Sequence, residues 1–362
     1  MTTESHIAAT ARPNASSNSI GALRYLLALF IILHHTNGIM GVDIPLLLHA
    51  DTVVYAFFAL SGYFAWQSYS RSSSARSFVR HRLLRLLPAY WAVVGASALG
   101  LSFVSDCSWT AYFTSPDFWK YLGANGLLMN FLAPELPGVF SHHLLTAVNG
   151  SLWYVKLEVL FTFAVPLFSW VTGQITPLLR PFRPGQTAGW SASWRRLVPL
   201  LGWLAVSAAV FAARFLLPGG GGLLFRYLCD FLLFVSGLMM SRSGLTACAP
   251  SAFLKNSVFS LILLGIFVGG RDSMESAYGY FLLSALLIWS LIRVFLSTGF
   301  ASFLNRNNMT YSMYLCHFPL IQLSLCFTDS PWAAFAVALL LLSLCTPLLF
   351  YGIERRAFSG RR

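Results

Sequence analysis

The chain has 362 residues, of which 57% are hydrophobic and only 10% are charged, and its net charge is +12. Soluble domains carry about 25% charged residues, so this composition excludes an ordinary water-soluble protein. The positive charge does not indicate nucleic-acid binding, because the basic residues concentrate in alternate loops between apolar blocks. The apolar blocks are about 20 residues long, the length that a helix needs to cross a bilayer.

Ten such blocks predict an all-α fold, a polytopic membrane bundle of about ten transmembrane helices. A polar segment at 1–20 comes first, and its composition predicts disorder. A ten-span domain at 21–352 and a basic tail at 353–362 follow. A shorter apolar stretch at 118–133 is either a re-entrant or an interfacial piece. The spans are expected near 21–40, 52–70, 86–105, 152–172, 197–217, 223–241, 253–269, 277–297, 309–327 and 332–352.

The loops between these spans alternate in charge. One set carries most of the basic residues, whereas the other set is acidic and holds only Lys120 and Arg271 as basic residues. By the positive-inside rule the basic side is cytoplasmic, which places both termini in the cytoplasm. The basic side holds Arg12, Arg71, Arg76, Arg80, Arg82, Arg85, Arg180, Arg183, Arg195, Arg196, Arg242, Lys255, Arg306, Arg355, Arg356, Arg361 and Arg362.

The first span contains two polar groups that predict a function. Arg24 and His35 are eleven residues apart, which is about three helical turns and ~16 Å, so both lie on one face. A guanidinium near the cytoplasmic end and an imidazole in the outer half suit a long anionic substrate with a reactive tip. The alternative is a snorkelling arginine and a hydrogen-bonded structural histidine. His34 faces about 100° away and is a rival for the same role.

Glu158 lies about five residues below the outer end of the fourth span, at the same depth as His35 in the first. A carboxylate beside a histidine can orient it and raise its basicity. Alternatively, Glu158 forms a structural pair with Arg226 or Lys156. Arg226 also has the i, i+4 spacing for an ion pair with Asp230 on the sixth span.

Arg82 and Arg85 precede the third span on the cytoplasmic side and are adjacent on one helix face. Two guanidiniums so placed can bind a phosphate group, or they can serve topology and lipid-headgroup contact. The six cysteines are scattered without the spacing of a zinc site, and we expect no metal.

Five segments in order resemble the bacterial acyltransferase 3 family of integral membrane acyltransferases. Arg24 and His35 match the R-x10-H pattern of the family, and residues 57–63, FFALSGY, are similar to its FF-x-LSG-[FY] segment. The other three are 80–90, RHRLLRLLPAY, then 152–158, LWYVKLE, and 310–319, TYSMYLCHFP. The sequence departs from the family at Tyr154, where the family usually has Ser, and at Lys156, which places a cation beside Glu158.

The resemblance implies a membrane O-acyltransferase. It would take an acyl group, most often acetyl, from cytoplasmic acyl-CoA and transfer it to a hydroxyl of a cell-surface or lipid-linked glycan. His35 would be the catalytic base or a transient acyl carrier, and Glu158 would orient it. Arg24, Arg82 and Arg85 would bind the phosphates of the donor, acetyl-CoA.

Four further positions are implied as substrate-lining residues: Ser61, Trp153, Tyr314 and His317. Ser61 and Gly62 would also allow two helices to approach closely. The implied location is the bacterial cytoplasmic membrane, with membrane lipid and a separate extracytoplasmic transferase as candidate partners. The competing hypothesis is a glycan or lipid transporter or flippase without acyl chemistry, since ten spans with buried charges also suit a transporter.

Overall fold

The computed structural model describes residues 18–178, 188–217, 219, 222–243, 253–274 and 278–359. These residues form thirteen α-helices joined by short 3₁₀ turns, and they contain no β-strand. The helices are α1 (Ile20–Met40), α2 (Ala50–Tyr69), α3 (Ala75–Gly100), α4 (Trp109–Thr114), α5 (Pro116–Gly126), α6 (Trp153–Leu178), α7 (Ala188–Arg214), α8 (Gly222–Arg242), α9 (Phe253–Met274), α10 (Tyr278–Ser297), α11 (Thr310–Ser324), α12 (Pro331–Leu349) and α13 (Arg355–Ser359). A π-helical turn at Phe350–Glu354 links the last two.

The prediction of an all-α polytopic membrane protein is confirmed. In the described part of the chain, seven helices are long and apolar enough to cross a membrane: α1, α3, α6, α8, α9, α10 and α12. The three other predicted spans coincide with α2, α7 and α11, and α7 contains a shorter apolar helix at Pro199–Arg214. That these three helices also cross the membrane, which would give ten spans, therefore remains a prediction.

The two ends of the chain differ in how far the described residues test the predicted boundaries. Most of the predicted disordered segment, residues 1–17, lies outside the described residues. Ser19 at its end is fully buried, and its backbone N–H donates to the carbonyl oxygen of Phe295. Residues 360–362 of the tail also lie outside, whereas the tail is helical up to Ser359.

Two helix pairs run in parallel, as an alternating topology requires for spans of the same parity. In α2 and α8, Asp51 pairs with Arg226 near the start of both helices, and Gly62 packs on Phe234 further along. In α1 and α11, Gly21 donates its N–H to Asn305 just before α11, and His35 contacts His317 further along. The second pair brings two histidines to one depth.

The segment between α3 and α6 folds back along α3. Tyr112 donates its hydroxyl proton to the carbonyl oxygen of Ala98, whereas Tyr90, eight residues earlier on α3, donates to Asn125 at the end of α5. The helix α5 therefore runs back along α3, and the chain turns at Leu128, whose φ is 64°. Buried polar backbone at this depth is satisfied within the protein. The re-entrant alternative for 118–133 fits this course.

Candidate active site

A pair of hydrogen-bonded histidine rings lies between α1 and α11. The Nδ1 atom of His35 is 2.7 Å from Nε2 of His317, and the ring centroids are 4.9 Å apart with 29° between the ring planes. The Nδ1 atom of His317 is 2.6 Å from the carbonyl oxygen of Tyr314. His317 is almost completely buried, and the Phe318 ring contacts His35 edge-on at 5.2 Å.

These contacts fix which nitrogens carry protons when both rings are neutral. A carbonyl oxygen only accepts hydrogen bonds, so His317 must carry its proton on Nδ1. Its Nε2 atom then has a lone pair and accepts a proton from Nδ1 of His35. The remaining ring nitrogen of His35, Nε2, is left with a lone pair. His35 is thereby held in the tautomer that a general base requires.

Glu158 does not occupy the position next to His35 that the sequence analysis expected. Its Oε1 atom accepts hydrogen bonds from Ser61 and from the Nη2 atom of Arg82, which also donates to the Ser61 hydroxyl at 2.9 Å. Glu158 instead lies near Arg24, about three turns of α1 away from His35, and its side chain points towards α2 and α3. His317 instead takes the orienting position beside His35.

The ion pair between Arg82 and Glu158 is buried, with 7% and 6% of the two residues exposed. Thr162 lies 3.4 Å from Nε of the same guanidinium. Removing one partner of such a pair leaves an uncompensated buried charge, at a cost of about 3–5 kcal/mol. The pair therefore joins α2, α3 and α6 and supports the shape of the site.

A cavity that is partly open to solvent lies next to this ion pair. The charged groups of its lining are mostly cations, because three guanidiniums and a single carboxylate face the cavity. Among the described residues, neither Arg24 nor Arg85 forms an ion pair, and Arg24 lies 4.4 Å from the Phe64 ring centre. The lining residues are Arg24, Phe57, Leu60, Ser61, Phe64, Arg82, Arg85, Leu86, Tyr154, Val155, Glu158, Thr310, Tyr311 and Tyr314.

Two tyrosine rings separate this cavity from the histidines. Tyr154 and Tyr314 both line the cavity, with ring centroids 5.4 Å apart, and the Tyr314 ring contacts His317 on its other side at 5.5 Å. The Tyr314 hydroxyl donates to the carbonyl oxygen of Ser151. The expected continuous path from Arg24 to His35 is therefore interrupted, because these aromatic side chains fill the space between them.

The remaining predicted residues lie outside the cavity. The ring centre of Trp153 is 4.9 Å from the Arg226 guanidinium, and Trp153 does not line the cavity. Arg226 pairs with Asp51 at 3.0 Å and not with Asp230, because it projects from α8 towards the start of α2. Asp230 is buried, and in the described structure its carboxylate has no hydrogen-bond partner. Lys156, the other expected partner of Glu158, lies over the ring of Phe131.

Sequence reasoning missed the contact between His35 and His317 and the role of Tyr154. His317 entered only as a substrate-lining residue, and Tyr154 only as a departure from the expected serine. A usable signal was present for the histidine pair: His35 lies five residues from the end of α1 and His317 seven from the end of α11, in two spans of the same direction.

The comparison with protein families decides the assignment. A family model described as "Acyltransferase domain", the acyltransferase 3 model, matches residues 17–352, which is nearly the whole chain. The chain belongs to the acyltransferase 3 family. It is also similar to an O-acetyl transferase of Shigella phage Sf6, with 26% identity over 150 residues, which cover 40% of this chain and 43% of that protein. No solved structure is significantly similar to the chain.

The segments of the sequence that resemble the acyltransferase 3 family meet at one place in the fold. Four different helices bring Arg24, Ser61, Arg85 and Glu158 to the same cavity, and Tyr314 from a fifth closes it. The family assignment also favours an enzyme over the transporter hypothesis.

Proposed function

We propose that this acyltransferase moves an acetyl group from cytoplasmic acetyl-CoA to a hydroxyl of a cell-surface or lipid-linked glycan. The observation that carries the proposal is a cavity lined by three guanidiniums. Tyr314 lines this cavity and contacts His317, which holds the imidazole of His35 in the tautomer of a base. Coenzyme A carries several phosphate groups, and guanidiniums bind phosphates through charge-assisted hydrogen bonds. The similarity to an O-acetyl transferase supports acetyl as the acyl group.

In this proposal the cavity binds the donor, and the histidines carry out the chemistry. Arg24 and Arg85 bind the phosphates, because Arg82 is already engaged with Glu158. The pantetheine arm passes Tyr314, whose ring must move aside for the thioester to reach His35. Since Arg24 and His35 are eleven residues apart on α1, the arm has to extend ~16 Å.

The transfer itself needs one base and one leaving group. Nε2 of His35 takes the proton of the acceptor hydroxyl as its oxygen attacks the thioester carbonyl. The carbon–oxygen bond forms, the carbon–sulfur bond breaks, and the proton on Nε2 passes to the departing thiolate. The products are the acetyl ester of the glycan and free coenzyme A, and His35 returns to its starting tautomer.

The test is acetyl transfer by the purified protein in lipid nanodiscs. The acceptor is supplied as membranes of the native host lacking the gene, and radiolabelled acetyl-CoA is the donor. The expected result is transfer by the wild type and loss of at least ~100-fold in His35→Ala, because a positioned base contributes about that much or more. A matched control is His81→Ala, an exposed histidine on α3. Full turnover in His35→Ala would overturn the role of this residue, and no transfer by the wild type would overturn the function.

A further inference from the structure

A second polar cluster lies on the opposite side of the tyrosine rings, at the first turns of α2, α6 and α8. It consists of His49, Asp51, Trp153 and Arg226, which we call the outer cluster. Arg226 donates to Asp51 at 3.0 Å and lies over the Trp153 ring, and Nδ1 of His49 is 3.8 Å from Asp51. The side chains of His49, Asp51 and Arg226 are 39%, 42% and 47% exposed, so a ligand can reach them.

The outer cluster lies near His34, the neighbour of His35 on α1. The exposed residue His34 has its ring 5.4 Å from the His35 ring, and His49, Asp51 and Arg226 are close enough to His34 to interact with it electrostatically. Trp153 also contacts Tyr154, one of the two rings that close the inner cavity, with centroids 6.5 Å apart. A molecule bound at the outer cluster would therefore lie next to the base, on the side away from the guanidinium cavity.

The charge of the cluster selects the kind of ligand. Asp51 neutralises Arg226, so the cluster has no net charge while the histidines are neutral, in contrast to the cationic cavity inside. An anionic ligand gains little here. A neutral molecule with neighbouring hydroxyls can donate to the Asp51 carboxylate and accept from Arg226, and its apolar face can pack on an aromatic ring.

We propose that the outer cluster is the acceptor subsite and that it binds a neutral sugar ring, placing one hydroxyl at Nε2 of His35. This inference rests on the proposed function and names the residues that select its acceptor. The sugar can come from a lipid-linked glycan or from a soluble saccharide, since both present the same hydroxyls.

The experiment compares Asp51→Asn and Trp153→Leu with the wild type in nanodiscs. Acetyl transfer is measured against increasing amounts of two acceptor preparations from host cells lacking the gene: intact membranes, and the water-soluble saccharide fraction. Both variants should raise the apparent KM for the acceptor at least ~10-fold, since Asp51→Asn removes the carboxylate that accepts from the sugar hydroxyls and Trp153→Leu removes the aromatic face on which the ring packs. The KM for acetyl-CoA should not change, because the proposed phosphate contacts are with Arg24 and Arg85.

Matched controls are Asp43→Asn, an exposed carboxylate in the loop after α1, and Trp170→Leu, an exposed indole further along α6. Neither should change the acceptor KM. Variants with the wild-type acceptor KM in both preparations would overturn the acceptor subsite while leaving the proposed function intact. If the wild type transferred no acetyl group to either preparation, the proposed function itself would fail. The preparation with the lower KM identifies the source of the sugar.

Discussion

His317 is placed to fix the tautomer of His35. Its Nε2 atom can accept from His35 only because its Nδ1 proton is engaged by the carbonyl oxygen of Tyr314. His317 is therefore a positioning residue. The burial of His317 is tolerated because both of its ring nitrogens have hydrogen-bond partners.

Replacing His317 should lower kcat and leave donor binding unchanged. His317→Ala removes the acceptor for Nδ1 of His35, so the ring loses its fixed tautomer, and we expect kcat to fall roughly 100-fold. His317→Gln provides an amide oxygen that can accept the same proton, and it should recover part of the loss. The measurement is steady-state kinetics of acetyl transfer with both variants. Equal losses in the two variants, or a raised KM for acetyl-CoA, would contradict a positioning role.

Arg82 and Arg85 are adjacent on α3 but have different surroundings. Arg82 is buried and paired with Glu158, whereas Arg85 is half-buried, faces the cavity and has no ion-pair partner among the described residues. The first guanidinium therefore supports the fold, and the second is available for a phosphate group.

Replacing Arg85 and replacing Arg82 should have different effects on acetyl-CoA binding and on stability. Arg85→Gln should raise the KM for acetyl-CoA at least ~10-fold without lowering the melting temperature, because it removes one charge-assisted phosphate contact. Arg82→Gln should lower the melting temperature, because it leaves Glu158 buried without its partner. Arg80→Gln, an exposed position on the same helix, is the control and should change neither. If Arg85→Gln left acetyl-CoA binding at the wild-type level, the phosphate role would be wrong.

At the scale of the helices, α2 and α8 pack so closely that their backbones touch. A Cβ atom at Gly62 would overlap the carbonyl oxygen of Phe234, and one at Gly237 would overlap that of Ala59. Small residues permit this approach, which suits helices packed in lipid. The contact fixes α2 against α8 and so positions Ser61 next to Glu158 at one end and Asp51 next to Arg226 at the other.

Filling this contact should destabilise the protein. Gly62→Ala forces the two backbones apart in a buried region, at an expected cost of about 1–3 kcal/mol or more. Gly95→Ala on α3 is a matched control, because a Cβ atom there meets nothing within 4 Å. The measurement is the melting temperature in detergent. Equal melting temperatures for the two variants would show that α2 and α8 are not in such close contact.

The sequence predicts the features of the fold that depend on one helix alone. Hydrophobic length predicts that a span exists, and residue number predicts the order of residues along it. Neither predicts how far one span is shifted along another, so Glu158 lies in the cavity with Arg24 and not at the level of His35. The rotation of one helix against another depends on packing between distant segments, and a single sequence does not contain it. For this reason Glu158 points to Arg82, and the partner of His35 is His317, 282 residues away.

At the scale of the whole molecule, we expect the proposed site to be divided across the membrane. The cavity with Arg24 and Arg85 lies on the predicted cytoplasmic side, the outer cluster with Asp51 and Arg226 lies on the other, and Tyr154 and Tyr314 separate them. Such a division suits a donor made inside and an acceptor outside. It depends on the orientation of the bundle, which the basic loops predict through the positive-inside rule.

That orientation can be measured with a thiol reagent that does not cross membranes. Cys326 follows α11 on the predicted outer side and is exposed, and Ser73 lies exposed in the predicted cytoplasmic loop between α2 and α3. Two chains are compared in which the other native cysteines are replaced by serine: one keeps Cys326, and the other carries Ser73→Cys with Cys326→Ser. In intact spheroplasts the reagent should label the first chain, and it should label the second only after the membrane is permeabilised. The reverse pattern would place the guanidinium cavity outside, away from acetyl-CoA, and would overturn the division of donor and acceptor sides.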